Sequence, residues 1–457
     1  MVLIIADFGA PMRKAVDVAE IIGAQPFGPF HVRIIALCLA VQFLDGFDTQ
    51  ALAYAAPALR ESLHLGPRDL GSVFSLGAVG TGVGSICLGL LADIFGRKKV
   101  MIASVTIFGL LSLCTVFVTS LDGLLIVRPL TGFGLGAALP LTFVMANEFA
   151  PGRVRARMVA AMACGFAIGA ASGGLLQAEM VPHFGWQGIF VVGGIIPLLL
   201  AGALLVFLPE SVRYLAARGD SGTAIARTLK KIDPRLEFSS DTDFVLPAEP
   251  TKKGLPPLQL FASGRAATTI LLWFTFLVTL ASLNTLNNWL PVALNSAGLE
   301  QQQALRITTL FQFGGIAGVL VLGVLADKFG YPRVLILAFA GLALFVAATG
   351  SVGGVVLLLA IAVAGTGFCL VGANNTLNAF ATTLYPTEIR ATGVSWASSF
   401  GRLVGAFGPL IGGILLDTME LQIVFFIFAV PAVCGAFAVF GLLHARKSLQ
   451  RLALKST

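Results

Sequence analysis

The chain has 457 residues, of which 57% are hydrophobic and only 12% charged, with a mean hydropathy of +0.90 and a formal net charge of +7. Soluble globular chains carry about 25% charged residues, and apolar surface on this scale cannot be hidden in one or two cores, so it must face lipid. Soluble enzymes, nucleic-acid-binding proteins and disordered chains are excluded at this step.

At the N-terminus, the apolar stretch Val2 to Ala6 is too short for a secretory leader, and Arg13, Lys14, Asp17 and Glu20 follow it. Residues 1–32 therefore read as a cytoplasmic segment. A membrane-crossing helix needs roughly 20 mostly apolar residues. That window predicts spans near 33–57, 70–92, 100–119, 123–146, 158–180 and 187–208. After a polar stretch come six more, near 268–295, 306–326, 333–351, 354–378, 392–416 and 422–444. The polar stretch, 209–267, reads as a cytoplasmic connector with a short amphipathic helix around Ser221–Ile232, and 445–457 as a cytoplasmic tail. The expected fold is an all-α membrane protein, with twelve transmembrane helices in two pseudo-symmetric six-helix bundles at 33–208 and 268–444.

Charge placement orients the chain. With the N-terminus inside, 25 of the 30 Lys and Arg fall on the inner side. Only Arg60, Arg68 and Arg306 fall outside, and Arg128 and Arg402 lie within spans. The positive-inside rule then puts both termini in the cytoplasm. It also accounts for the basic charge, so no nucleic-acid partner is needed. The six cysteines (Cys38, Cys87, Cys114, Cys164, Cys369, Cys434) sit in apolar segments without metal-ligand spacing and read as packing residues.

The halves repeat. Gly89-Leu-Leu-Ala-Asp93-Ile-Phe-Gly96-Arg97 recurs as Gly323-Val-Leu-Ala-Asp327-Lys-Phe-Gly330-Tyr331 at an offset of 234, and Pro151-Gly-Arg-Val-Arg155 recurs as Pro386-Thr-Glu388-Ile-Arg390 at 235. Two like-oriented six-span halves form a parallel repeat.

Two acids stand out. Asp45 and Asp48 lie about 12 and 15 residues into the first span, so about 18–22 Å along the helix and near the bilayer midplane. Three residues apart, they share a face. An ionised Asp at a helix centre costs about 2.5–3.5 kcal/mol, so each must face a polar cavity or carry a proton part of the time. A kink at Gly46 is the bland alternative. Arg402, about ten residues into the eleventh span, offers a planar guanidinium suited to a carboxylate, or to a cross-half pair with Asp45 or Asp48. Neither Arg402 nor Arg128 has a charged counterpart in the other half. Amides at Asn284, Asn287, Asn288, Asn374, Asn375 and Asn378 stand where lipid-facing positions would be Leu or Val. Those that point inward serve as pocket walls or interhelical glue. Phe47, Trp289 and Trp396 are aromatics that can stack on a ring.

The block from Gly89 to Lys99 resembles the signature loop of the major facilitator superfamily, and Arg128 with Gly132, Gly134 and Gly136 resembles its fourth-span motif. The run Asp45-Gly-Phe-Asp48-Thr-Gln, continuing to Ala56-Pro57, resembles the first-span signature of the superfamily's aromatic acid:proton symporters. Asn288-Trp289-Leu290-Pro291 and Tyr385-Pro-Thr-Glu388-Ile-Arg390-Ala-Thr-Gly resemble that family too. The resemblance implies alternating-access import of an aromatic or related cyclic carboxylate together with protons, in an inner-membrane protein working as a monomer. It implies proton coupling at Asp45 and Asp48. Substrate binding would fall to Arg402, Arg128, Asn284, Asn288, Trp289, Asn374 and Phe47. Asp93, Arg97, Glu148, Arg155, Asp327, Glu388 and Arg390 would form the inner latches, with a weaker latch in the second half because its loop is reduced to Gly330-Tyr-Pro-Arg333.

The rivals are a proton-coupled efflux antiporter, a sugar or polyol importer and a non-transporting sensor of aromatic acids. Antiporters carry a fifth-span G-P-x-x-G-G. Here Gly169-Ala170-Ala-Ser-Gly173-Gly174 lacks the proline, and Gly408-Pro409-Leu-Ile-Gly412-Gly413 has it in the eleventh span. No nucleophile–base arrangement, metal-ligand cluster or nucleotide loop is present, so neither an enzyme nor a cofactor is expected, and ion gradients must supply the energy.

Overall fold

The computed structural model describes residues 15–17, 21–23, 25, 27–218, 222–233, 236, 238, 243–245, 259–262, 264–352, 355–386 and 389–455. Twelve of its helices are long and apolar enough to cross a membrane. The first six are Pro29–Leu63, Pro67–Phe95, Arg97–Thr115, Leu121–Phe149, Ala161–Phe184 and Gln187–Phe207. The second six are Ala266–Ser296, Gln301–Phe329, Tyr331–Ser351, Val356–Thr382, Thr392–Thr418 and Leu421–Ala445. Several outrun their hydropathy windows. The first, read as 33–57, begins at Pro29 and continues to a left-handed cap at His64 (φ 51°), carrying Pro57 inside it.

The fourth span is two helices, Leu121–Leu135 and Ala138–Phe149, and the eleventh is Arg390–Gly405 followed by Gly408–Thr418. Such breaks are tolerated where neighbours satisfy the freed backbone. At the second break, the Nδ2 of Asn284 donates to the carbonyl of Gly405 at 3.2 Å.

Packing follows small residues. A Cβ at Gly80 or Gly84 of the second span would collide with the backbone of Pro129 or Phe133 in the fourth. Gly314 and Gly318 of the eighth span meet Ala364 and Phe368 of the tenth in the same way. Without a hydrophobic drive between helices in lipid, such close backbone approach is what holds the pair together. The loops after the second and eighth spans also match, since Gly96 and Gly330 turn with φ of 106° and 88°, values that glycine adopts without strain.

Each half has its own apolar core. A third cluster, with Phe47, Tyr54, Leu70 and Phe74 from one half and Trp289, Val292 and Leu305 from the other, joins them on the side away from the connector. The connector holds the helices Val212–Ala217 and Gly222–Ile232, the latter with Ile225 and Leu229 buried in the core of the N-terminal half. Strand β1 (Ala15–Asp17) pairs in parallel with β2 (Asp243–Val245), a ribbon the all-helical reading did not contain. Two extended segments there satisfy each other's backbone groups.

Candidate functional site

The first span separates its two acids. Asp48 is wholly buried inside the N-terminal half: the Ser112 Oγ donates to its Oδ1 at 2.8 Å, and the Arg128 Nη2 lies 3.7 Å from its Oδ2. Arg128 is only 6% exposed, with its guanidinium 5.5 Å from the centroid of the Phe190 ring. First, third, fourth and sixth spans thus enclose one ion pair. Buried charges persist only when paired, and this pair is incomplete. Among the described residues, neither Asp48 Oδ2 nor Arg128 Nη1 has a hydrogen-bond partner. A pair held at ion-pair distance rather than by a bidentate hydrogen bond leaves room for a proton on the carboxylate.

Asp45 is 4% exposed, and the charges acting on it are those of Asp48 on its own helix and of Arg402 in the C-terminal half. Arg402 is surrounded by protein yet keeps an exposed side chain. The two acids lie within each other's field, while the cation acting on each differs, Arg128 on Asp48 and Arg402 on Asp45. Their side chains stand about 60° apart around the helix, enough to place one inside a half and the other at the boundary.

The seventh span contributes amides in three settings. The Asn284 amide is bonded to Gly405, and the Asn288 Nδ2 donates to its own helix at the Asn284 carbonyl, 2.7 Å. Asn287 bridges the halves: its Oδ1 accepts from the Gln50 Nε2 at 3.3 Å and from the Gln312 Nε2 at 3.1 Å. Trp289 is buried, donates from Nε1 to the Pro409 carbonyl at 2.8 Å and stands edge-on to Phe74 across the halves. Its ring is thus committed to the contact between halves. Phe47 is buried in the joining cluster. In the tenth span, the buried Oδ1 of Asn374 has no partner among the described residues, while Asn375 is exposed. Trp396 stacks on Trp273, ring planes 9° apart, near the connector end of the eleventh span.

Gln50, Gln312 and Tyr54 were not singled out by the sequence reading. The signal applied to the asparagines, an amide in a hydrocarbon segment, is present equally at Gln50 and Gln312.

On the side away from the connector, further contacts tie the halves. The Leu410 amide donates to the Ser75 Oγ at 3.0 Å, and Arg306 pairs with Glu179 at 2.6 Å. On the connector side, Arg97 pairs with Glu148 at 2.7 Å and donates to the Ser211 Oγ at 2.6 Å. Glu210 accepts from the backbone amides of Lys98 and Ser211, so the start of the connector is fastened to this loop. Asp93 is 73% exposed and 3.9 Å from Arg97. In the second half, Asp327 accepts from the Tyr331 hydroxyl at 3.4 Å. Arg390 begins the eleventh-span helix, whereas Glu388 and the side chain of Arg155 lie outside the described residues.

The sequence profile of the Major Facilitator Superfamily matches residues 38–307 and 297–455. A gallate transporter of Pseudomonas putida is 38% identical over 95% of this chain and 97% of its own. A 4-hydroxybenzoate transporter of Pseudomonas aeruginosa is 38% identical over 89% and 91%, and a 3-(3-hydroxy-phenyl)propionate transporter of Escherichia coli 34% over 92% and 96%. Among solved structures, a D-xylose–proton symporter superposes with a TM-score of 0.71 at 16% identity, covering 90% of this chain and 97% of that one, which shows the shared fold. The chain is a multi-pass membrane transporter rather than an enzyme, and it belongs to the major facilitator superfamily, among that superfamily's aromatic acid transporters.

Proposed function

We propose that this transporter imports an aromatic carboxylate together with protons across a bacterial inner membrane, with both termini in the cytoplasm. The observation that carries the reading is the division of charge: Asp48 lies 3.7 Å from Arg128 inside one half, and the cation acting on Asp45 is Arg402 of the other half. Arg402, its side chain exposed, is the group placed to receive a substrate carboxylate, with the planar geometry for a two-oxygen contact. A carboxylate arriving there competes with Asp45 for one guanidinium, so its binding is favoured when Asp45 carries a proton. That competition makes substrate and proton travel together. Asp48, one turn away and pinned by Ser112 and Arg128, is the second proton site. Arg128 holds Asp48 in place rather than reaching the substrate.

The contacts joining the halves lie away from the connector, so this arrangement is open toward the connector, the cytoplasmic side. Rocking would break the Arg306–Glu179 and Phe74–Trp289 contacts and close the connector side around the Arg97–Glu148 loop. Relatives named as transporters of gallate, 4-hydroxybenzoate and 3-(3-hydroxy-phenyl)propionate support the substrate class.

The test is uptake of labelled 4-hydroxybenzoate, protocatechuate and benzoate into right-side-out vesicles, with and without an inward proton gradient. Gradient-driven accumulation of any of them is expected, and its loss in Asp45→Asn. Accumulation that ignores the gradient, or proton-linked extrusion instead, would overturn the import reading.

A further inference from the structure

Three carboxamides and a phenol meet where the first, fifth, seventh and eighth spans converge. Gln50 and Gln312 both donate to the single oxygen Asn287 Oδ1. The Tyr54 hydroxyl donates to the Ala170 carbonyl at 2.9 Å and lies beside Gln50 and Gln312. Tyr54 is wholly buried, Gln50 and Gln312 nearly so, and Asn287 is half-buried. Apolar packing alone does not require this cluster, because Phe74, Trp289 and Leu305 already join the halves at this level. Withdrawing this many amide groups from water is costly unless they serve one another. The pattern is one of a site that keeps polar groups ready for a polar guest.

Its position suits such a guest. Asn284, three residues before Asn287, bonds the carbonyl of Gly405, three residues beyond Arg402. The cluster thus stands about 9 Å from Arg402 along the helix axes, within reach of a hydroxybenzoate held by the end of that long side chain. We propose that the Gln50–Asn287–Gln312 cluster, backed by Tyr54, recognises the ring hydroxyl of the substrate. This rests on the reading that Arg402 holds the carboxylate. The hydroxyl donates to Asn287 Oδ1 and accepts from the Nε2 of Gln50 or Gln312, replacing one existing amide–amide bond with two of its own. A ring without that hydroxyl sets a C–H edge against the amides and gains neither bond. Discrimination between substrates that differ by one hydroxyl arises in this way when a site is built to bond it.

The experiment measures, for the wild type, Asn287→Leu and Gln312→Leu, uptake of 4-hydroxybenzoate and of benzoate in vesicles. In parallel, the Kd of each acid is read on the purified protein from tryptophan fluorescence. The wild type is expected to prefer the hydroxylated acid. In both variants the 4-hydroxybenzoate to benzoate ratio, in kcat/KM and in Kd, should fall about tenfold, the value of one hydrogen bond of ordinary strength. A ratio that stays at the wild-type value while both acids lose equally would overturn the proposal and leave the cluster a gate contact. If Asn287→Leu does not fold, Asn287→Ser shortens the side chain while keeping a polar atom and is scored by the same ratio. A wild type that carries and binds neither acid overturns the carboxylate reading itself, and this proposal with it.

Discussion

In the N-terminal half the second and fourth spans meet through Gly80 and Gly84, and in the C-terminal half the eighth and tenth meet through Gly314 and Gly318, against partners that correspond in register. The loops that follow turn on Gly96 and Gly330 in the same way. The charges placed on these two scaffolds differ. One half encloses a buried ion pair, Asp48 with Arg128, and fastens its loop to the connector through Arg97, Glu148, Ser211 and Glu210. The other carries Arg402 with an exposed side chain and, among the described residues, bonds Asp327 to the neighbouring Tyr331. The repeat preserves what packing needs, and the charges depart from it. A symmetric scaffold can rock about its centre, while an asymmetric charge set gives the motion something to respond to.

The contrast can be broken hardest at Arg128. Arg128→Ala leaves Asp48 buried without its partner, and thermal unfolding in detergent should show a loss of about 3–5 kcal/mol. The double change Asp48→Asn with Arg128→Gln should recover most of it. Arg402→Ala should cost less stability than Arg128→Ala, because its side chain is exposed and Asp45 can take up a proton, yet lower the initial uptake rate about a hundredfold, as expected when a charged hydrogen-bonding partner of the substrate is lost. Arg402→Lys should restore part of that rate, since it keeps the charge and loses the planar fork. Equal melting losses for Arg128→Ala and Arg402→Ala would erase the distinction drawn between the two arginines.

The loops give a smaller contrast. Arg97→Ala strips the nearly buried Glu148 of its cation and should cost about 1–3 kcal/mol, whereas Asp327→Asn should change stability by less than about 0.5 kcal/mol. Both are readable from melting curves in one detergent. The smallest difference is expected in the scaffold itself. Gly80→Val and Gly314→Val each overpack a helix contact, at about 1–3 kcal/mol, and the two losses should agree within about 0.5 kcal/mol. A large gap between them would show that the halves do not share their packing.

The twelve spans, their grouping into halves and the repeat were legible in the chain because each is a property of contiguous residues. Twenty apolar residues must span and close their own backbone hydrogen bonds wherever their neighbours lie. Asp45, Asp48, Arg128 and Arg402 were legible for a related reason, since charge in a hydrocarbon segment is costly in any tertiary setting. What each of them faces was not legible. Asp45 and Asp48 are three residues apart on one helix, and only the arrangement of the other spans turns one toward Arg128 and the other toward Arg402. Trp289 shows the same limit: a membrane tryptophan beside amides suits a substrate wall, but the break in the eleventh span places the Pro409 carbonyl where its indole donates. The ribbon between Ala15–Asp17 and Asp243–Val245, and the bridge from Gln50 to Asn287, join residues more than two hundred positions apart. No local pattern encodes such pairings. The bridge exists because two halves, each specified by its own hydrophobic spans, are packed against one another, and the ribbon because the connector folds back onto the N-terminal half.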